Sequence, residues 1–294
     1  MENMGQFNNI TNGSLPLDYR IALATMYSIV LVGGTLSTAL MINILKSNVR
    51  SVTTMAVLNL VVVHILFLLT VPFRIYFYAS GWWDLGPDFC KVVSSMIHVH
   101  MYVALTFYVI ILVIRHLAYA RGRDQVEFHR RLHAALVSAG VWAGVLVCVL
   151  PAVATKYGTS VDNRRTCFNF GDELDKATVA GLNYALIAVV LLAALAVAGS
   201  QAWILGRVVR AYGRTCPQRQ EFWAQIKSLS FVLVVLVCFV PYHLFRLYYV
   251  GHHESLQKQN EVFLAVTAFS CFDMLIFLPR DMWTCGVSCC VNAM

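Results

Sequence analysis

The sequence predicts an all-α membrane protein, a seven-transmembrane-helix bundle with a short amphipathic C-terminal helix. Three observations carry that prediction. Seven apolar stretches, each near the length of about 20 residues that a helix needs to cross hydrocarbon, fill most of the 294 positions. The composition is 59% hydrophobic and 13% charged with a mean hydropathy of +0.67, which suits lipid better than water. Lipid offers no partner to a backbone N–H or C=O, so each spanning segment must close its own hydrogen bonds as a helix. The chain divides into a tail (1–20), one membrane domain (21–279) and a short end segment (280–294).

Taken in order, the tail carries two N-x-S/T sequons, Asn9-Ile10-Thr11 and Asn12-Gly13-Ser14. Both are expected to carry glycan if the tail lies outside. No basic start precedes an apolar core there, so no cleavable signal peptide is expected, and the first span (21–45) serves as signal anchor. The second span (55–79) bends at Pro72 and carries Arg74 in its outer part. The third (92–119) follows Cys90, and Arg115 lies 25 residues beyond that cysteine. That separation is a helical rise of roughly 37 Å, enough to pass from one rim to the other. The fourth (132–155) contains Trp142 and Pro151, and the fifth (177–206) is uninterrupted. The sixth (226–250) contains Pro241, and the seventh (262–278) holds Asp273, the one acid at the midplane.

Charge sets the orientation. With the N-terminus outside, the inner side holds 13 basic residues against four acids, and the outer side nine against ten. Excess Lys and Arg in short loops marks the cytoplasmic face, so the tail is expected outside and the C-terminus inside. The net charge of +7 then reflects topology and contact with anionic membrane lipid, and nothing points to nucleic acid.

Of the nine cysteines, all but Cys216, which carries no reading, divide by position. Cys90 and Cys167 alone fall in outer positions, where an oxidising exterior favours pairing them and stapling the loop after the fourth span over the bundle. Cys148, Cys238 and Cys271 lie in spans and read as small buried hydrophobes. Cys285, Cys289 and Cys290 follow the seventh span. Cys285 and Cys289 share a helical face, which suits S-palmitoylation of a helix lying on the membrane. No metal centre and no cofactor are expected, and no nucleophile–base pair, phosphate loop or His-Glu-x-x-His helix supports an enzyme.

Trp83-x-x-Gly86-x-x-x-Cys90, Arg115, Asn59-Leu60, Trp142, Pro151, Cys238-Phe239-Val240-Pro241-Tyr242 and Ser270-Cys271-Phe272-Asp273-Met274-Leu275-Ile276-Phe277 occur in an order and spacing that resemble the rhodopsin-like G-protein-coupled receptors. The run from Pro241 to Tyr249 is similar to the purinergic and chemoattractant branch. The resemblance covers the chain from the first span onward. It implies plasma-membrane location, a heterotrimeric G protein as partner and an unidentified extracellular ligand. It also assigns the inner switch to Arg115, Phe239, Pro241, Asp273 and Phe277. Glu221, 20 residues before Pro241, stands where it could pair with Arg115 and hold the inner face closed.

The departures from that pattern matter equally. Ile114 replaces the acid that usually precedes the inner arginine, which predicts ligand-independent signalling. Met274 and Phe277 replace the proline and tyrosine of the seventh-span signature. Ile97 stands where amine receptors carry an aspartate, which argues against a cationic amine. His64 takes the place of the second-span aspartate, and Ala104 stands where a serine or asparagine is usual. In most relatives those groups hold a sodium ion, so a His64–Asp273 pair is expected in its place, against the alternative of two residues each satisfied by water.

Candidate ligand contacts follow from charge. Arg74, Tyr242, His243 and Arg246 lie in the outer parts of their spans, and Arg164 and Arg165 precede Cys167. Converging cations favour an anionic ligand, while the alternative has Arg74 and Arg246 snorkelling to headgroups or pairing with outer acids. His98 and His100 are about 200° apart on their helix, so at most one is expected to face the bundle, with His98 taken as the ligand contact. A transporter would need internal repeats and a chain of midplane carboxylates, which are absent. The rival reading is a receptor-like scavenger or modulator that does not couple to G proteins.

Overall fold

The computed structural model describes residues 15–47, 52–121, 138–144, 167–168, 174, 177–213, 215 and 220–277. Helix α1 (Leu17–Ser47) is the first span. The second is broken into α2 (Val52–Leu68) and α3 (Val71–Ser80). Helix α4 (Pro87–Arg121) is the third, residues 138–144 belong to the fourth, and α5 (Ala177–Tyr212) is the fifth. The sixth runs through α6 (Gln220–Val234), a π-helical turn (Val235–Phe239) and α7 (Val240–Tyr249). The seventh is α8 (His253–Thr267) continued by a 3₁₀ segment (Ala268–Phe277).

Among the described residues, the first, second, third, fifth and sixth spans are long and apolar enough to cross a bilayer unaided. The seventh begins at His253, earlier than hydropathy places it, because its first turns carry Glu254, Lys258 and Glu261. The tail with its sequons, Arg164 and Arg165, and the end segment with Cys285, Cys289 and Cys290 lie outside the described residues.

Breaks in the spans follow from proline chemistry. A proline ring removes one N–H and crowds the preceding turn. Pro72 sits in the first turn of α3, where no N–H is missed, and the chain turns at Leu69–Thr70 just before it. Pro241 likewise opens α7, and the turn before it widens into the π segment. The fifth span has no proline and stays α-helical through 36 residues.

Lipid tails are as apolar as leucine, so apolar burial does not drive these helices together; close packing and interhelical hydrogen bonds do, at about 0.6 kcal/mol per bond and up to about 1.7. The close packing is clear at Gly33 and Gly34. A Cβ on Gly33 would run into the Phe272 ring, so the missing side chain lets the first and seventh spans approach closely there. Asn59 supplies the bonds between the second and fourth spans. Its Nδ2 donates to Ser138 Oγ at 3.0 Å, and its Oδ1 accepts from Trp142 Nε1 at 2.9 Å.

The outer turn before α4 has a local cause too. Trp83 Nε1 donates to the Gly86 carbonyl at 2.7 Å, with Gly86 at φ 86°, a left-handed conformation that favours glycine. The chain then enters α4 at Pro87. Cys90, at the top of α4, is disulfide-bonded to Cys167 with Cα atoms 5.8 Å apart.

Candidate functional site: an outer cation cluster, a midplane polar cluster and an inner latch

In the outer half, Tyr242, His243, Arg246 and Tyr249 line the buried face of α7. The Arg246 guanidinium donates through Nε and Nη2 to Asn183 Oδ1 of the fifth span, at 3.0 and 2.6 Å, and through Nη1 to the Tyr242 hydroxyl. The Tyr242 hydroxyl lies 3.5 Å from His98 Nε2 on the third span. His243 Nδ1 donates to the Phe239 carbonyl at 2.8 Å, its buried Nε2 has no hydrogen-bond partner among the described residues, and Tyr102 packs edge-on against its ring. The structure therefore brings His98, Tyr242, His243 and Arg246 together, with Asn183 and Tyr102 as members that sequence reasoning missed.

Arg74 is separate from this group. It is fully buried, which overturns the snorkelling half of the alternative, whereas Glu261, an acid assigned to the outer side, lies within electrostatic reach of it. Its Nη2 donates to the Val93 and Ser94 carbonyls at 3.1 and 3.3 Å, and Nη1 reaches the Tyr27 hydroxyl at 3.4 Å. The Phe168 ring covers the guanidinium, 4.3 Å from its carbon. Phe168 directly follows Cys167 and has a φ of 65°, a strained conformation for a bulky residue. Arg74 thus ties the second span to the top of the third beneath the disulfide loop. Nearby, the Tyr78 hydroxyl donates to Glu261 Oε2 at 2.6 Å. Glu261 is 2% exposed, although hydropathy assigns it to the outer solvent. The nearby Arg74 charge and this phenol, both from the second span, let an acid sit inside the bundle.

At the midplane, His64 Nε2 lies 3.0 Å from Asp273 Oδ1, and the Tyr108 hydroxyl donates to Asp273 Oδ2 at 2.6 Å. His64 Nδ1 is 3.0 Å from His100 Nε2. Here the expectation for the third span needs correction. Both His98 and His100 turn inward, toward the sixth span and toward the second and seventh, because the third span is packed on both sides. Cys271 needs correction as well: its Sγ lies 3.4 Å from His100 Nε2 and 3.8 Å from His64 Nδ1, so it is no mere apolar filler.

At the inner end, Arg115 Nη1 donates to the Ala224 carbonyl at 3.1 Å and to Ser228 Oγ at 3.0 Å, bridging the third and sixth spans. The guanidinium also lies over the Phe231 ring, 5.9 Å from its centroid. The side chains of Glu221 and Phe277 lie outside the described residues. A second inner bridge, which the sequence did not reveal, joins Gln201 of the fifth span to Gln225 of the sixth: Gln201 Nε2 donates to Gln225 Oε1 at 3.0 Å. Phe239 is buried in the π segment with its ring 6.0 Å from that of Tyr108, so the sixth span touches the residue that holds Asp273.

Known proteins agree with this architecture. Residues 37–278 match the model of the 7 transmembrane receptor (rhodopsin family). Over 265 residues, 87% of each chain, the sequence is 44% identical to the human Probable G-protein coupled receptor 141. It is 26% identical to the rat N-arachidonyl glycine receptor over 91% of this chain and 83% of that one. It is 25% identical to the mouse Probable G-protein coupled receptor 34 over 94% of this chain and 78% of that one.

Proposed function

The chain belongs to the rhodopsin family of seven-transmembrane receptors, and from that premise we propose that it couples an anionic extracellular ligand to a heterotrimeric G protein, with measurable output before any ligand binds. The N-terminus faces outward and the short end segment lies along the inner leaflet, anchored through Cys285, Cys289 and Cys290.

The observation that carries the coupling is Arg115. Among the described residues its guanidinium is fastened to the sixth span by a neutral carbonyl and a hydroxyl, and its neighbour Ile114 offers it no charge. A neutral latch across two spans is a contact that opening of the inner face can break at modest cost. Scavenging or modulation without coupling has no use for such a latch, which makes that alternative the weaker reading.

The ligand class rests on Arg246. It is a buried cation in the outer half, flanked by His243, His98 and Tyr242, and a guanidinium binds carboxylate or phosphate with two parallel hydrogen bonds. Arg164 and Arg165, just before Cys167, add positive charge to the loop expected above it. The rat relative is named for N-arachidonyl glycine, a carboxylate on a long acyl chain. That chemistry suits a buried guanidinium in the outer half of a bundle whose walls are largely apolar.

N-acyl glycines and their uncharged methyl esters are suitable probes in a second-messenger assay with receptor matched for surface level. The acid is expected to act and the ester to be silent. Arg246→Gln keeps a donor for Asn183 but loses the charge, and is expected to reduce potency at least about tenfold, since a hydrogen bond to a charged group contributes about 1.5–3 kcal/mol. An ester as potent as the acid, or a variant as potent as the parent, contradicts the assignment.

A further inference from the structure

We propose that His64, His100 and Cys271 form a zinc(II) site at the bundle midplane, with Asp273 orienting His64 from behind. This inference rests on midplane geometry and stands apart from the reading of ligand and coupling. Among the described residues, this is the one cluster of at least three His, Cys, Asp or Glu side chains whose ligand atoms all fall within 4.8 Å of one another.

The spacing fits an ion. Zinc bonds of about 2.0–2.1 Å to nitrogen and about 2.3 Å to sulfur put the ligands of a tetrahedral ion roughly 3.3–3.6 Å apart. The observed separations are 3.0 Å for the two nitrogens, and 3.4 and 3.8 Å from the sulfur to each of them. Small side-chain adjustments convert one set into the other. All three residues are completely buried, and they come from the second, third and seventh spans.

The donor set selects the ion. Two imidazole nitrogens and a thiolate suit a borderline-soft cation, whereas sodium, magnesium and calcium require oxygen. The surroundings of His64 match what zinc ligands need: its second nitrogen faces a carboxylate, which fixes the ring and makes Nδ1 a better donor. That carboxylate is in turn held by Tyr108.

Charge also balances. Without metal, an imidazolium His64 gives Nε2–H to Asp273 and Nδ1–H to His100 Nε2, so the cluster is neutral with Cys271 as a thiol. When Zn²⁺ enters, bonds form from zinc to His64 Nδ1, His100 Nε2 and Cys271 Sγ. The His64 Nδ1 proton and the thiol proton leave to solvent. Dication, thiolate and carboxylate again sum to zero, which a low-dielectric interior demands. A water molecule completes the tetrahedron. The ion then ties three spans together at one depth, as a structural or regulatory group with no catalytic part.

The test uses the full chain in detergent, purified from zinc-supplemented culture without metal-affinity resin and dialysed against metal-free buffer without chelator. Bound zinc is measured by mass spectrometry and folding by size-exclusion profile. The parent is expected to retain equimolar zinc, and cobalt(II) in its place should give the strong visible absorption of a tetrahedral thiolate site. Cys271→Ser should lose both signals. His100→Phe, which preserves the stack on Phe67, should do the same if the serine variant folds poorly. Asp273→Asn should weaken zinc binding about 10–100-fold. His252→Ala, at an exposed histidine beyond α7, should change nothing. A folded parent without zinc, copper in place of zinc, a Cys271→Ser protein with parental zinc, or zinc lost on His252→Ala would each overturn the proposal.

Discussion

His64→Ala is expected to destabilise the receptor by about 3–5 kcal/mol, the cost of leaving a buried charge without its partner. Asp273 is 1% exposed and contacts His64 at 3.0 Å, with Tyr108 on its other oxygen. Without the imidazole, that carboxylate must ionise unaided or take up a proton, and either is costly in the membrane interior. Asp273→Asn keeps the shape and removes the charge, so its loss should be smaller, about 1–3 kcal/mol. The double variant should lose less than the two single losses combined, by about 1 kcal/mol or more, because each substitution removes the reason for the other residue's charge. Thermal midpoints in EDTA, which keeps metal out of the comparison, report this cycle. We propose that the pair takes the place of a sodium site, so replacing sodium by choline should leave the parent midpoint unmoved. Additive losses, or a sodium-dependent midpoint, count against it.

Breaking the disulfide should rank next. Cys90 and Cys167 are 77 positions apart, and removing a structural bridge commonly costs about 2–5 kcal/mol. The loss here reaches beyond chain entropy. Phe168, held at φ 65°, is only 2% exposed and packs against Phe77, Tyr78 and Trp83 while capping Arg74. The bridge at the adjacent Cys167 is what pins that strained backbone to the top of the third span. Cys90→Ala and Cys167→Ala should each lower surface delivery severalfold, and the double variant should be no worse than either. Phe168→Ala with the bridge intact should show a milder defect. Parental surface levels in both cysteine variants would deny the bridge this role.

Much of the fold was legible because a bilayer imposes a strict length and hydropathy on each span. The outer turn was legible as Trp83-x-x-Gly86, since the indole bond and the left-handed glycine fall three residues apart. Asn59 and Trp142 were readable as motif positions, and the structure adds the hydrogen bond between them. Three things escaped for physical reasons. Glu261 was assigned to solvent by its charge, but a tyrosine 183 positions earlier gives it a buried partner. Cys271 approaches His100 across 171 positions and His64 across 207, and no local spacing encodes contacts between three spans. The angle of about 200° between His98 and His100 holds for any α-helix, yet it excludes an inward face only for a helix with a lipid side, and the third span has packed neighbours on both sides.

The central claim is that this receptor couples to a G protein through an inner latch that lacks a neighbouring acid. Ligand-independent G-protein dissociation, measured across the G-protein families for parent and Ile114→Asp at matched surface level, tests it most directly. About 1.4 kcal/mol added to the closed state lowers an active minor population roughly tenfold. The account predicts parent output above the receptor-free background with at least one family, falling by about that factor when the substitution supplies a carboxylate beside Arg115. A parent indistinguishable from background with every family, or an Ile114→Asp variant with unchanged output, would contradict it.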